Sequence, residues 1–315
     1  MTTTNGAASS PGAARAWAVA AGILFSTGGA AIKGTALSAL QVAGFRSAVA
    51  AVAIYLFLPS ARRGYGLALV PAALAYAGTL VCFVVATKLT TSASAIFLQS
   101  TAPIWVLVLG PALLGEPIRR VDLSYVGLVA GGLLLVFLGS RDAVATAPMP
   151  ALGNVFALAS GLFYALVMVL MRRLSRAGEP GEDRSMAATV LGNLFAFAAC
   201  LPFAVPVEAA SARDVGAILY LGIFQIALAY WAFARGLRGL SALEFSLLVL
   251  IEPVLNPLWT WILHDERPTP LALVGGAVMV ATLGARALLD RRPPGTPRRG
   301  ARTSGAAPSD RRSSS

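Results

Sequence analysis

The chain has 315 residues, of which 57% are hydrophobic and only 12% charged, with a formal net charge of +11 and a mean hydropathy of +0.73. A soluble globular chain carries about 25% charged residues, so a single large soluble core is excluded. Much of the positive balance lies in arginines beyond the last apolar block, which suits a membrane surface better than a nucleic-acid groove.

Apolar windows between charged or Gly/Pro-rich breaks predict ten spans, at residues 14–34, 40–58, 67–87, 92–114, 121–140, 150–171, 186–206, 214–234, 241–263 and 270–289. Each is close to the roughly 20 residues that a bilayer crossing needs, so the expected fold is an all-α membrane protein with no soluble domain. Residues 1–13 form a short tail. The first span is not expected to be a secretory signal, since only Arg15 precedes its apolar run and nine more spans follow. Residues 290–315 are Arg, Pro, Ser and Gly without an apolar period and are expected to be a disordered basic tail.

Arginine placement sets the expected orientation. With a cytoplasmic N-terminus the inner loops hold Arg62, Arg63, Arg119, Arg120, Arg172, Arg173, Arg176, Arg184, Arg235 and Arg238, and the tail adds more. The outer side holds only Lys33, Lys88, Arg141, Arg213 and Arg267. The positive-inside rule therefore predicts both termini in the cytoplasm.

The two halves repeat one another. In the fourth span "SASAIFLQSTAPIWVLVLGPALLGEP" carries Pro103 and, thirteen residues on, Glu116; in the ninth "SALEFSLLVLIEPVLNPLWTWILHDERP" carries Pro253 and, thirteen on, Glu266. Gly22 precedes Lys33 by eleven, as Gly161 precedes Arg172. Two repeats follow, 14–140 and 150–289. Five spans per repeat is odd, so the second copy enters the membrane inverted, a transporter plan with its site near the midplane.

At these residues the chain resembles the EamA-type members of the drug/metabolite transporter superfamily. The resemblance covers roughly residues 14 to 289 and adds "FRSAVAAV" around Arg46 and "WAFARGLRGLSALEFSLLVLIEPV" leading into the ninth span. It implies a ten-helix inner-membrane carrier that exports amino acids, related metabolites or drugs by alternating access. His264-Asp265-Glu266 departs from the family's apolar residue and glycine before the glutamate, which touches only the local turn.

The rival classes are an intramembrane enzyme and a receptor or scaffold that moves nothing. For the enzyme the sequence supplies little: one histidine, His264, in a predicted loop, and no G-x-S-x-G, H-E-x-x-H or aspartate dyad. Cys82 and Cys200 have no paired spacing and read as packing residues, so neither a metal nor a cofactor is expected. Gly127-x-x-x-Gly131 and Ala277-x-x-x-Ala281 mark either packing within the bundle or a homodimer seam.

A substrate pocket should be lined by polar and aromatic side chains sharing helical faces. The candidates are Tyr76, Thr79 and Phe83 in the third span, Gln99 one turn before Pro103, Tyr164 one turn from Ser160, and Trp231 on a face with Tyr220 and Phe224, with Gln225 on a neighbouring face. Tyr220 and Tyr230 lie near span ends, where aromatic belts form. Arg46 either snorkels to the outer surface or binds a substrate carboxylate or an acidic partner.

The last candidate set is Glu252, Asn256 and Trp259, at i, i+4 and i+7 of the ninth span, a face expected to point into the central cavity because lipid would make Glu252 expensive. Superposed on the prolines, the first repeat has Ala102 and Val106 at the places of Glu252 and Asn256, so symmetry does not require the carboxylate. Pro253 and Pro257 cannot donate to the carbonyls of Val249 and Pro253. Glu252 either bonds nearby backbone to steady the resulting kink, or binds a substrate ammonium or a coupling proton as the carrier alternates.

Overall fold

Runs of apolar residues closed by Ser, Thr, Gly and Pro give helices here, and the computed structural model describes them over residues 11–138, 147–177, 184–264 and 269–289. The helices are α1 (Pro11–Ser26), α2 (Gly28–Lys33), α3 (Ala39–Phe57), α4 (Val70–Leu89), α5 (Ser92–Gln99), α6 (Ala102–Leu114) and α7 (Arg120–Leu138) in the first half. In the second half come α8 (Pro150–Ala177), α9 (Arg184–Ala204), α10 (Ala212–Tyr220), a π segment (Leu221–Leu228), α11 (Ala229–Gly239), α12 (Ala242–Val249), α13 (Ile251–His264) and α14 (Pro270–Leu289). Among the described residues eight stretches, ending with Ala212–Gly239, are long and apolar enough to cross a membrane. The ninth and tenth predicted spans correspond to α12 with α13 and to α14. Asp265, Glu266, Arg267, Arg141 and the C-terminal tail lie outside the described residues, as does the side chain of His264.

Local sequence sets the helix ends. Ser38 caps α3 in a capping box with Gln41, Ser211 caps α10 with Asp214, and Thr91 and Ser241 cap α5 and α12 through Ser94 N and Glu244 N. Gly115 ends α6 in the left-handed region, φ 64°, which a residue with a Cβ adopts less readily.

Three predicted continuous spans are in fact broken, and a fourth is re-wound. The first breaks at Thr27, the fourth at Ser100 and Thr101, and the ninth at Leu250. The hydroxyls of Ser26, Thr27 and Thr101 donate to the carbonyls of Ile23, Leu24 and Leu98, satisfying acceptors that the breaks disturb. The expectation that Pro253 kinks the ninth span needs correction. Its break precedes Pro253, which sits in the first turn of α13, as Pro103 does in α6, where a helix has no acceptor for that N–H.

The helices pair in a pattern that runs through both halves. α1 packs on α11, α12 and α13, while α8 packs on α4, α5 and α6; α3 packs on α9 and α7 on α14. Matched glycines make two of these contacts. A Cβ on Gly161 of α8 would stand 3.0 Å from the Gln99 carbonyl oxygen, and one on Gly22 of α1 would stand 3.0 Å from that of Val249. Both oxygens lie at the helix breaks, and the residue four positions on is in each case a proline with no N–H, Pro103 and Pro253. Only glycine lets a neighbouring backbone approach that closely.

Two charged networks close the ends. At one, the Glu116 carboxylate accepts from Arg172 Nε and Arg176 Nη2 and from the backbone N–H of Ala242. Arg172 also donates to the carbonyls of Leu237 and Arg238, and Arg15 pairs with Glu244 at 2.8 Å. At the opposite end of α8, Lys33 donates to the Thr90 carbonyl, Lys88 to that of Thr35, and Asp214 accepts from Ala36 N.

The small-residue motifs behave differently from the packing expectation. Gly127, Gly131, Ala277 and Ala281 are exposed, and the α7–α14 seam is made instead by Gly132, Gly275 and Met279. A Cβ on Gly275 would sit 2.5 Å from the Gly132 carbonyl oxygen. Gly275→Ala should therefore cost about 1–3 kcal/mol through overpacking. Gly131→Ala, on an open face, should leave stability unchanged or raise it by up to about 1 kcal/mol. Thermal midpoints of the two variants in detergent test the contrast, and equal losses would contradict the seam.

Candidate functional site

The helix breaks and the π segment meet around one space. It is lined by Phe25, Arg46, Thr79, Leu80, Phe83, Gln99, Tyr164, Gln225, Tyr230 and Glu252, and amounts to about 30 Å³. That is room for one or two waters, so the cavity is contracted. Seven of the sequence candidates come together here: Arg46, Thr79, Phe83, Gln99, Tyr164, Gln225 and Glu252.

Arg46 projects from α3 and is 1% exposed. The snorkelling expectation is therefore wrong. Its Nη1 donates to Gln225 Oε1 and its Nη2 to the Leu80 carbonyl, each at 3.2 Å, while Nε has no partner. Gly222 allows this, since a Cβ there would press on Val49 and on the Arg46 carbonyl oxygen. A guanidinium buried among neutral acceptors carries an unbalanced charge, which is costly in a bilayer.

Gln225 reaches Arg46 because the span holding it re-winds. Over Leu221–Leu228 the π segment changes which residues share a face, so Gln225 is buried while Phe224 is 48% exposed. Of the predicted shared face, Tyr220 and Phe224 still stack, with 5.7 Å between ring centroids, while Trp231 packs apart from them against Trp17. The amide of Gln225 packs over Gly28, where a Cβ would come within 2.7 Å of Nε2.

Aromatic rings wall the space. Tyr230 is 2% exposed and stacks against Tyr76 at 4.4 Å and Phe25 at 5.0 Å between ring centroids, so it is not a belt residue. Tyr220 stays partly exposed and its hydroxyl donates to Thr27 Oγ1. Tyr76 lies beneath the cavity, its hydroxyl accepting from Asn193 Nδ2 at 3.0 Å. Tyr164 is 7% exposed and its hydroxyl has no partner. Gln99 Nε2 donates to Ser160 Oγ at 2.8 Å, and that hydroxyl donates on to the Thr79 carbonyl. Periodicity had no means of finding Phe25 or the role of Tyr230, since an apolar ring on a core face looks the same wherever the core lies.

Glu252 lines the cavity from α13 and, among the described residues, has neither a hydrogen-bond nor an ion-pair partner. The kink-steadying role is thus without a bond to carry it. Asn256 and Trp259 share its face but not its cavity. Asn256 Oδ1 lies 3.1 Å from where a Gly29 Cβ would be, and Trp259 Nε1 donates to Ser26 Oγ at 2.7 Å, so both face the break between α1 and α2. Trp231 is elsewhere too, edge-on to Trp17 with the Arg235 guanidinium 4.1 Å above its ring.

A second, smaller space of about 10 Å³ adjoins the first between the breaks of the fourth and ninth spans, lined by Gln99, Ser100, Ala102, Pro103, Tyr164, Met168, Ser246, Val249, Leu250 and Glu252. Gln99, Tyr164 and Glu252 belong to both. Among the described residues no cluster of His, Cys, Asp and Glu could hold a metal through such ligands, and Cys82 and Cys200 are free thiols.

Comparison with known proteins gives this geometry a context. A sequence profile of the EamA-like transporter family matches residues 13–138 and 151–284. The chain is 28% identical over 271 residues to the pseudopaline exporter CntI of Pseudomonas aeruginosa strain UCBPP-PA14, covering 84% of this chain and 92% of that protein. It is 27% identical over 206 residues to an uncharacterized transporter of Archaeoglobus fulgidus, covering 64% and 70%. A solved crystal structure shares the fold, with TM-score 0.71 at 19% identity over 88% of this chain and 97% of that one.

Arg46→Lys should lower stability by about 1–3 kcal/mol, because one ammonium cannot replace the fork that serves both Gln225 and the Leu80 carbonyl. The thermal midpoint in detergent reads this directly. An unchanged midpoint would mean that the two bonds do not hold Arg46 in place.

Proposed function

The chain belongs to the EamA-like transporter family, and from that premise we propose that it exports a small zwitterionic metabolite, such as an amino acid or a related compound, by alternating access. The observation that carries the proposal is the pair Arg46 and Glu252. They line one cavity, are of opposite charge when both are ionised, and among the described residues neither has an ion-pair partner. A substrate with a carboxylate and an ammonium supplies both missing charges at once. Phe25, Tyr164 and Tyr230 between them offer apolar and cation–π surface to its middle.

The proposed architecture is ten membrane helices in two inverted five-helix repeats, 14–140 and 150–289. Helix pairings that recur between the halves, and the Gly22 and Gly161 contacts, support it. The proposed setting is the inner membrane with both termini cytoplasmic. In support, Arg15, Arg172, Arg176, Arg235 and Arg238 gather at the Glu116 end. Space for about two waters cannot hold a metabolite, so loading requires helices to part, as alternating access demands. Protons are the proposed coupling ion.

Efflux of labelled amino acids, monoamines and monocarboxylates from proteoliposomes, with and without a pH gradient, tests this reading. Zwitterions should be carried at least tenfold faster than either singly charged analogue. Glu252→Gln and Arg46→Lys should each reduce zwitterion transport at least tenfold with normal membrane insertion. Parental rates and pH dependence in both variants would sink the proposal.

A further inference from the structure

The smaller cavity is not needed to explain recognition of a zwitterion. It lies on the side of Glu252 toward the two helix breaks, and at about 10 Å³ it admits a single small occupant. Its lining residues Glu252, Tyr164, Gln99 and Ser246, with Ser100 at the break, carry side-chain oxygens. Besides the Glu252 carboxylate these include the Tyr164 hydroxyl, which has no hydrogen-bond partner although the residue is 7% exposed; the Gln99 side-chain carbonyl, whose amide nitrogen is engaged by Ser160; and Ser246 Oγ, whose hydrogen is donated to the Leu243 carbonyl so that its lone pairs are left for another partner. A water there would leave the buried Glu252 side chain without a cationic partner whenever it is ionised.

We propose that this cavity binds one monovalent metal cation of sodium's size, held by oxygens of Glu252, Tyr164, Gln99 and Ser246. Hard oxygen donors suit an alkali ion, as soft sulfur or imidazole donors would not. One carboxylate among neutral ligands balances one positive charge and leaves a divalent ion half neutralised. Discontinuous helices near the midplane are also where secondary carriers hold coupling cations. Because Glu252 borders both cavities, occupancy of the smaller one sets the charge seen from the larger. The inference rests on the reading of Glu252 as part of the transport site, but adds a ligand that site does not require.

The full-length protein in detergent is titrated with sodium chloride against choline chloride and potassium chloride at equal ionic strength, following the thermal midpoint by tryptophan fluorescence. Sodium should raise the midpoint along a saturating curve, as a ligand of the folded state does, and choline should not. Ser246→Ala, which touches only the smaller cavity, should weaken the apparent sodium affinity by about tenfold or more. Glu252→Gln should abolish the sodium effect, and should that variant fail to fold, the wild-type and Ser246→Ala titrations decide alone. Midpoints equal in sodium and choline, or a sodium response untouched by Ser246→Ala, overturn the cation site and leave the cavity to water or a proton. Zwitterion efflux that persists identically in choline would then show that the transport reading stands without it.

Discussion

Backbone polar groups cannot be left unpaired in hydrocarbon, and everything else in this fold depends on where that rule is relaxed. An unbroken helix satisfies it internally, whereas a break is tolerable only where protein encloses it. Here the breaks at Thr27, at Ser100 and Thr101, and at Leu250, together with the π segment at Leu221–Leu228, all border the two central cavities or the residues beside them. Interruption and cavity are therefore one feature. The chain spends its irregular backbone in the place where a ligand could use it.

Close helix approach is what encloses those breaks. Gly22 and Gly161 sit against the carbonyls of Val249 and Gln99, oxygens at the helix breaks that stand four residues before a proline with no N–H, Pro253 and Pro103. Contact of a glycine Cα with such an oxygen is a weak but favourable substitute for the missing bond. Gly192 lies against Tyr76, and Gly222 against Val49 and the Arg46 carbonyl, so two walls of the site are positioned by missing side chains. Enlarging any of these residues would displace a wall rather than fill a void.

The distribution of charge separates closure from recognition. Glu116 is paired with both Arg172 and Arg176 at one end of the bundle, with further hydrogen bonds from Arg172 to the carbonyls of Leu237 and Arg238 and from Ala242 N to Glu116. That network is self-sufficient and offers a ligand nothing. Arg46 and Glu252 are the reverse case: both line one cavity, bounded by tyrosines, and neither has an ion-pair partner among the described residues. Burying such groups is unfavourable unless something that comes and goes completes them.

The sequence by itself determined the membrane class and most helix positions to within a few residues, because apolar period is a property of the chain alone, and its resemblance to known motifs indicated the transporter family. It also marked Thr79, Gln99, Tyr164 and Glu252, since polar residues in an apolar span are visible without coordinates, and Phe83 through the helical face it shares with Thr79. Only the tertiary structure decided which of those residues share a cavity. Gln225 needed the π segment to turn toward Arg46, Tyr230 needed α1 and α4 against it to cease being a belt residue, and Phe25 carried no signal at all. Asn256 and Trp259 have the right period yet face the α1–α2 break, because period fixes the face of a helix and not what stands opposite it. The seam glycines tell the same story: Gly127 and Gly131 form the motif, but Gly132 and Gly275 make the contact, since which stripe meets a neighbour is set by the packing of the whole bundle.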